Sequence, residues 1–430
     1  MTSGSTKTGR ASVIETPDQF RLAEGGSSPQ TRPRLRICHL AYTFYETDNR
    51  VIRYACEMQS HGHDVDVIVL RRRGQPLIGY LDGVRVIRIQ QRSINERMAV
   101  AYLAKLLWFF TKSAALLATL HVRRRYDVVH VHNVPDFLIF AALVPKLSGA
   151  KLILDIHDIL PELYLGKFGR DDRSKTFKSL LMLERASCSF ADHVIVANDL
   201  WRETLVRRSA RRCTTILNYP DISLFKPLRP EQRKNAGPFV FLYPGSLNYH
   251  QGVDVAVKAF ALVKNQIPNS QFHIYGEGPA RPSLIKLVDD LGMKDHVRMV
   301  ARVPLTEMAH IMAAADVGVV PKRADGFGNE AFSTKILEFM ASGVPVIVSK
   351  TRVDEHHFNS TLVRFFASGD ERDLATAMVD TFENTDKTFA RAEAARQFAN
   401  CNSWQQRGGK YRELIESLVA TPWSRQAALQ

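Results

Sequence analysis

The sequence predicts an α/β protein with two doubly wound, Rossmann-like domains that face each other across a cleft. Three observations support this fold class. The chain has 430 residues, which is too long for a single hydrophobic core. Short β-rich runs alternate with patterns at helical spacing, as is typical of parallel sheets with helical crossovers. The alternation stops once, at a polar stretch rich in proline, and then begins afresh.

The first domain is predicted over residues 34–217. Residues 1–33 are rich in Ser, Thr, Gly, Gln and Pro without an apolar period, which predicts a disordered tail. Strands are predicted at short apolar runs, which are Val65–Leu70, Asp127–Val131, Lys151–Ile156, His193–Val196 and Thr214–Leu217. Helices are predicted where apolar residues recur at helical spacing, at Asn49–Ser60, Phe137–Leu147 and Phe177–Phe190.

The second domain is predicted over residues 239–400, after a linker at residues 218–238 and before a C-terminal helix and tail at residues 401–430. Its predicted strands are Phe239–Tyr243, Phe272–Tyr275, Val297–Val300, Val317–Val320 and Val344–Val348. Helices are predicted from Val253 and Arg281, near Glu307, and over Thr334–Met340. Because doubly wound sheets bind ligands at the carboxyl ends of their strands, we expect the active site in the cleft between the domains.

The composition excludes several protein classes. Hydrophobic residues make up 45% and charged residues 24% of the chain, which are globular values. No run of eighteen apolar residues is free of charge, and the first residues lack the apolar core of a secretory signal. The five cysteines are odd in number and form no CxxC pair, so we expect neither a disulfide framework nor a zinc site. The predicted compartment is the cytoplasm.

The net charge of +14 is concentrated in the first domain. Residues 34–215 hold 29 Lys and Arg against 18 Asp and Glu, a net charge of +11. Such an excess indicates an anionic partner, which is nucleic acid, an anionic membrane surface or a phosphorylated substrate. The basic residues are scattered through a periodic globular pattern without a known nucleic-acid reader, so nucleic acid is not an expected partner.

Two glutamates eight residues apart give the sharpest functional signal. Residues 329–346 read NEAFSTKILEFMASGVPV, which places Glu330 in a loop and Glu338 about one turn inside the following helix. Ser333 and Thr334 open that helix, where free backbone N–H groups favour an anion such as a diphosphate. A carboxylate at Glu338 can then accept two hydroxyl hydrogen bonds from a ribose, and Glu330 can reach the group beyond the diphosphate.

This stretch resembles the paired-glutamate signature of the retaining family 4 glycosyltransferases, which have the two-Rossmann GT-B fold. Residues 243–254 (YPGSLNYHQGVD) and 273–279 (HIYGEGP) resemble the two glycine loops of the donor domain. Residues 128–133 (VVHVHN) and 154–162 (LDIHDILPE) resemble the loops of the acceptor domain. The likeness covers about residues 34–420, and the five pieces occur in the family's order.

The resemblance implies a role for each matching residue. Glu330 would contact the donor sugar, Glu338 the nucleotide ribose, and His157 the reacting sugar from across the cleft. Further donor-site residues are implied at the glycine loops and the helix start, and they are Gly245, Gly276, Gly278, Ser333 and Thr334. Gly245 would let the backbone approach the phosphates, and the other two glycines would lie near the base. His132, Asn133 and Asp158 are the expected acceptor-side residues.

One departure concerns the diphosphate. Many members have an arginine and a lysine in the first glycine loop, where this chain has Ser246 and Gln251. Lys335, on the first turn of the anion-binding helix, is the expected substitute, and Lys322 and Arg323 are further candidates.

We expect no metal and no cofactor. His130 and His132 lie on one face of a strand and could form a metal pair, but the sequence offers no third ligand nearby. Residues 276–278 (GEG) are too short for a dinucleotide fingerprint, so a nicotinamide cofactor is not supported.

Residues 98–120 predict a strongly apolar helix with two alternative interpretations. It is either a core helix of the first domain, with a narrow polar stripe at Lys105, Lys112 and Thr119, or a helix in the membrane interface. Arginines flank it on both sides, at Arg92, Arg97 and residues 123–125. In the second case the protein would be peripheral on the inner face of the membrane.

The predicted function is that of a metal-independent, retaining glycosyltransferase. The second domain would bind a nucleotide-diphosphate sugar, and the first would bind a glycan or a polyprenyl-linked acceptor of envelope or polysaccharide assembly. Two alternatives remain open at this stage: a sugar-nucleotide epimerase of the same fold, and a catalytically degenerate scaffold that binds sugar nucleotides. The scaffold stays open because the glycine loop lacks the arginine and the lysine that many members of the family have there.

Overall fold

The computed structural model describes residues 34–92, 99–168, 174–209, 212–228 and 237–420. The predicted tail at residues 1–33 and much of the predicted linker therefore lie outside the described residues. The described part forms two parallel α/β domains, as the sequence predicts.

An eight-stranded sheet forms the centre of the first domain, in the order β3-β4-β2-β1-β5-β6-β7-β8. Its strands are β1 (Arg36–Ala41), β2 (Asp64–Arg71), β3 (Ile78–Leu81), β4 (Val84–Gln91), β5 (Val128–His132), β6 (Lys151–Ile156), β7 (His193–Val196) and β8 (Cys213–Thr215). All neighbours pair in parallel except β3 and β4. That hairpin is absent from the sequence prediction, and it turns at Asp82 and Gly83, both with positive φ.

Helices cover both faces of this sheet. They are α1 (Asn49–Ser60), α2 (Ala99–Arg123), α3 (Leu143–Leu147), α4 (Leu160–Phe168), α5 (Lys175–Phe190) and α6 (Asp199–Ser209). The segment before α3 is a 3-10 helix at Asp136–Ala142, within a stretch predicted as one helix. The β-branched and leucine side chains of the strands fill two cores, with α1 on one face and α2, α5 and α6 on the other.

A six-stranded, wholly parallel sheet forms the second domain, in the order β11-β10-β9-β12-β13-β14. Its strands are β9 (Phe239–Pro244), β10 (Ser270–Tyr275), β11 (Val297–Val300), β12 (Val317–Val320), β13 (Val346–Lys350) and β14 (Arg364–Ala367). Its helices are α7 (Val253–Val263), α8 (Arg281–Asp290), α9 (Leu305–Ala313), α10 (Thr334–Ala341), α11 (Arg352–His357), α12 (Glu371–Glu383) and α13 (Thr385–Cys401). The strand order reverses between β9 and β12, so the loops after these two strands flank the switch point where such sheets bind ligands.

The chain returns to the first domain at its C-terminal end, through α14 (Trp404–Arg407) and α15 (Gly409–Ala420). Tyr411 of α15 is fully buried there, and its ring lies 4.2 Å from that of Tyr54 on α1. The return crosses beside the outgoing linker, since the Trp404 N–H donates to the Pro220 carbonyl at 2.9 Å. The predicted C-terminal helix is therefore part of the first domain's core and not an appendage.

The α2 helix is apolar on its exposed side. Leu106, Phe109 and Leu117 pack into the core, whereas Leu103, Leu107 and Trp108 are about half exposed. Lys112 does not mark a polar outer stripe, because its Nζ reaches back to the Ile89 carbonyl at 3.5 Å. By length and composition, residues 101–123 could cross a membrane, and 22% of their most apolar stretch is buried.

Candidate active site

The two glycine loops of the second domain pack directly on each other. A Cβ on Gly276 would overlap the carbonyl oxygen of Gly245, and a Cβ on Gly278 would overlap that of Leu247. Gly245 itself has a φ of 148°, and a side chain there would collide with Lys335. Backbone packing therefore requires glycine at Gly276 and Gly278, whatever ligand the site holds. At Gly245 the positive φ favours glycine, because the flexible end of Lys335 could move away from a side chain.

Lys335 occupies the space that the absent Cβ of Gly245 leaves. Its Nζ lies 3.4 Å from Oε1 of Gln251 and 5.6 Å from the centre of the Tyr243 ring. Burial lowers the pKa of Lys335 to about 8. Lys335 is thus a cation at the expected diphosphate position. Gln251, which stands where many family members have a lysine, accepts a hydrogen bond from it.

The two other candidate cations are engaged elsewhere. Lys322 is buried and pairs with Asp354 at 3.0 Å, and it also donates to the Ala331 carbonyl at 2.6 Å. Arg323 pairs with Asp254 at 2.5 Å. Lys322 therefore positions the loop that carries Glu330, and Lys335 remains as the candidate cation beside Gly245.

The start of α10 is open. Ser333 precedes the helix but its side chain caps no backbone N–H, and its buried Oγ has no hydrogen-bond partner in the described chain. The first N–H groups of a helix have no partner inside the helix, and the helix dipole adds positive potential there. Ser333, Thr334 and Lys335 at this helix start form a candidate anion site, the α10 cradle.

Glu338 lies one turn further along α10. Burial raises its pKa, while the positive charges of Arg53 and Lys335 and a hydrogen bond from Thr334 lower it. Arg53 belongs to α1 of the first domain, and it also donates to the Tyr219 carbonyl. The sequence analysis did not identify this cross-domain cation, because α1 and α10 are almost 300 residues apart in the chain.

The Glu330 loop is held from several directions. Arg352 Nη1 lies 3.1 Å from the Glu330 carboxylate, and the Arg352 N–H donates to the Asn329 side chain at 2.7 Å. Asn198 Nδ2 of the first domain donates to the Glu330 carbonyl at 3.1 Å. The carboxylate therefore stands at the cleft with its backbone fixed by both domains. Asn198 follows the end of β7, and its place at a strand's carboxyl end is the signal that could have identified it.

On the opposite side of the cleft, polar groups gather after β5 and β6. The His157 N–H donates to Asn133 Oδ1 at 3.1 Å, and Asn133 Nδ2 donates to Asp136 Oδ1 at 3.0 Å and to the Asp158 carbonyl at 2.6 Å. Burial raises the pKa of Asp136 to about 6 and also raises that of Asp158. His157 Nδ1 is buried without a partner among the described residues, so it can accept or donate one further hydrogen bond.

The structure places His132 in the interior and not among the acceptor-side loops. Its exposure is 1%, and its Nδ1 lies 3.0 Å from Asp155, which forms a bidentate pair with Arg50. The His132 side chain belongs to β5 and points into the core that α1 and α15 cover. The sequence analysis expected His132 among the acceptor-side residues. Strand alternation predicts which face of the sheet a side chain is on, but not which helices cover that face.

Among the residues that the structure describes, two groups of side chains could hold a metal ion by their distances. One is His39, His130 and His132, where pairing of β1 with β5 supplies the third ligand that the sequence analysis found missing. Burial lowers the pKa of both His39 and His130, so both imidazoles are neutral. The other group joins Asp199 of the first domain to His356 and His357 of the second.

Comparison with known proteins identifies both domains. Residues 47–218 match the family described as glycosyl transferase 4-like domain, and residues 225–398 match glycosyl transferases group 1. A mannosyltransferase of Mycolicibacterium smegmatis, described as GDP-mannose-dependent alpha-(1-6)-phosphatidylinositol monomannoside mannosyltransferase, is 28% identical over 38% of this chain and 44% of its own. A D-inositol 3-phosphate glycosyltransferase of Corynebacterium kroppenstedtii is 24% identical over 53% of this chain and 54% of its own. The matched region thus spans about half the length of these relatives.

The fold is shared with solved glycosyltransferases. Sucrose-phosphate synthase from Thermosynechococcus elongatus superposes with a TM-score of 0.71 at 20% identity, covering 89% of this chain and all of that one. The two matched domains, the glycine loops and the paired glutamates follow one another along the chain in the order that this likeness implies. The chain belongs to the group 1 glycosyltransferases and has their two-domain GT-B architecture.

Proposed function

We propose that this protein is a retaining glycosyltransferase that moves a sugar from a nucleoside-diphosphate sugar to an acceptor in the cleft. The observation that carries the proposal is the cradle in which Lys335 lies against Gly245 at the open start of α10. A lysine and free backbone N–H groups match a diphosphate. Glu338, one turn deeper, then meets the ribose hydroxyls, and Glu330 meets the sugar.

The proposed chemistry rests on positioning and charge. Lys335 and the α10 N-terminus stabilise the negative charge that develops on the diphosphate as the glycosidic bond breaks. Glu330 and His157 orient the sugar from opposite sides of the cleft. The departing diphosphate takes the proton of the attacking acceptor hydroxyl, so no side chain needs to act as a base. No metal enters this scheme, because Lys335 supplies the positive charge.

We further propose that the acceptor is a membrane-linked glycan or its precursor. The mannosyltransferase named above acts, by its description, on a phosphatidylinositol monomannoside and uses GDP-mannose, which supports a lipid-linked acceptor. The second relative acts, by its description, on D-inositol 3-phosphate, which carries no lipid chain. The exposed side of α2 supports contact with a membrane surface, since Leu103, Leu107, Trp108 and Val122 are between 49% and 78% exposed. Residues 123–125, three exposed arginines, follow this face and favour anionic lipid.

The test begins with the donor. UDP-, GDP- and ADP-sugars are screened by thermal shift, and the nucleotide that stabilises the protein is used as its sugar donor in turnover assays with and without a lipid extract. Acceptor-dependent release of the nucleoside diphosphate is the expected result. Formation of an epimeric sugar without an acceptor would indicate the epimerase. If the parent binds the donor but releases no more nucleoside diphosphate than a Glu330→Gln control, the protein is a degenerate scaffold.

A further inference from the structure

A cavity of about 430 Å³ lies between the two domains beside Glu330 and is unusually rich in arginine. The first domain contributes Arg185, Arg207, Arg208 and Glu162, and the second contributes Arg352 together with Glu330. Arg185 stands on α5, and the two neighbouring arginines stand at the end of α6, which packs against α5. Four arginines from three helices therefore line one space beside Glu330.

Two of these arginines are already paired. Arg208 donates to both oxygens of Glu162 and lies 3.3 Å from Glu184, which is buried. Arg352 lies 3.1 Å from Glu330. Burial raises the pKa of Glu184 to about 7, so the second carboxylate near Arg208 is partly protonated at neutral pH.

The remaining two arginines have no such partner. Within the described ranges, no carboxylate lies at ion-pair distance from Arg185 or Arg207, and both side chains are exposed. Exposed arginines are commonly just solvated, but these two lie on adjacent helices and line the same cavity. Two like charges that line one cavity repel each other, and an anion bound in the cavity would relieve that repulsion. The cavity therefore carries an unmatched charge of about +2.

We propose that this cavity binds a phosphate group on the acceptor, with Arg185 and Arg207 as its ligands. A phosphate monoester carries about −1.5 to −2 charge at neutral pH, which matches the two free guanidinium groups, and the planar guanidinium fork fits phosphate oxygens in pairs. The donor diphosphate is not the occupant, because its cradle at Lys335 does not line this cavity. Glu330 does line the cavity, so a phosphate bound there would lie next to the sugar to be transferred.

This inference rests on the proposed function and names its acceptor class: a phosphorylated glycan, or a lipid-linked sugar whose phosphate lies within reach of Glu330. Arg208 and Arg352 act as positioning residues, since each holds a carboxylate at the rim of the cavity. A neutral acceptor would leave Arg185 and Arg207 without a function.

The first experiment measures binding of inorganic phosphate by calorimetry to protein saturated with its nucleoside diphosphate, so that the α10 cradle is already filled. Arg185→Gln combined with Arg207→Gln should weaken phosphate binding by at least about tenfold, because two charge-assisted contacts are lost. Arg202→Gln is the matched control, since Arg202 is an exposed arginine on α6 that does not line the cavity. Equal phosphate affinity in the parent and the double variant overturns the proposal.

The second experiment measures nucleotide release with matched acceptors. Glucose is compared with glucose 6-phosphate, mannose with mannose 6-phosphate, and vesicles with or without polyprenyl phosphate sugar test the lipid source. The phosphorylated member of a pair should be preferred, and the double variant should lose that preference while acceptor-free donor hydrolysis stays unchanged. A preference that survives in the double variant overturns the proposal. Failure of the proposed function is distinct, because the parent would then release no nucleoside diphosphate in response to any acceptor, phosphorylated or not.

Discussion

Asn198 of the first domain donates a hydrogen bond of 3.1 Å to the backbone carbonyl of Glu330 in the second. Glu330, the proposed contact of the donor sugar, is thus tied through its backbone to the first domain, while its carboxylate remains with Arg352. The position of Glu330 therefore depends on how the two domains meet. A substitution that removes only the carboxylate should leave this tie intact.

Glu330→Ala is expected to separate binding from transfer. Affinity for the free nucleoside diphosphate should change little, because Glu330 is proposed to contact the sugar and not the nucleotide. The transfer rate should fall by a factor on the order of 10²–10³, as when other positioned polar groups are removed from transition states. Calorimetry and nucleotide-release kinetics measure the two effects. Equal loss of both would mean that the loop has collapsed and that the role of Glu330 is structural.

Glu338→Gln should weaken donor binding by about 1–3 kcal/mol, since the amide keeps the shape but accepts hydroxyl hydrogen bonds less strongly. Burial raises the pKa of Glu338, so binding to the parent should also weaken as the pH falls toward that raised value. Glu355→Gln, an exposed glutamate on α11, is the control. Unchanged donor affinity in Glu338→Gln would remove the ribose assignment.

The lowered pKa of Lys335 predicts that diphosphate affinity and the stability of the free protein change with pH in opposite directions. Its pKa is lowered to about 8 in the folded protein, so diphosphate affinity should fall as the pH rises through that value. The unfolded chain binds its proton up to a pKa of about 10.4, so Lys335 makes the free protein more stable as the pH rises from about 8 to 10. Lys335→Met should flatten the pH dependence of both diphosphate affinity and stability, and it should weaken diphosphate binding by about 1.5–3 kcal/mol at pH 7. Calorimetry measures the affinity and thermal unfolding measures the stability. Lys258→Met, on the exposed side of α7, should do neither.

Transfer should survive a chelator. We propose that Lys335 stabilises the negative charge of the diphosphate, so EDTA treatment should leave the transfer rate unchanged. Elemental analysis of the purified protein should find no stoichiometric metal. Activity that is lost in EDTA and restored by manganese or zinc would contradict this. His39→Gln and His356→Gln would then distinguish the buried histidine cluster from the group that joins the two domains.

The α2 helix should bind membranes through its exposed side. Leu107→Ser with Trp108→Ser should reduce sedimentation with anionic vesicles and leave the melting temperature nearly unchanged, because both residues are about half exposed. Phe109→Ser is the matched contrast, since Phe109 is fully buried and its loss should cost about 3–5 kcal/mol of stability. Salt should weaken vesicle binding, given a screening length of roughly 10 Å at 0.1 M. A parent that does not bind anionic vesicles would exclude the membrane contact.

The sequence by itself determined the local features of this protein. Buried parallel strands are continuous apolar runs, so Lys151–Ile156 and His193–Val196 were predicted with the bounds that the structure has. The spacing of Glu330 and Glu338 around a helix start, and the glycines of the two loops, are likewise contained within short stretches of chain. Such features depend on neighbours a few residues away, which a sequence displays directly.

The tertiary structure alone decided which distant residues meet. Burial raises the pKa of Glu338 and the charge of Arg53 lowers it, Asn198 holds Glu330, His39 joins His130 and His132, and α15 returns to cover the first domain. Each of these interactions joins residues that are far apart in the chain, and strand order and domain docking set them. The exposed side of α2 was ambiguous for the same reason: an apolar helix does not reveal which of its apolar faces the rest of the protein covers.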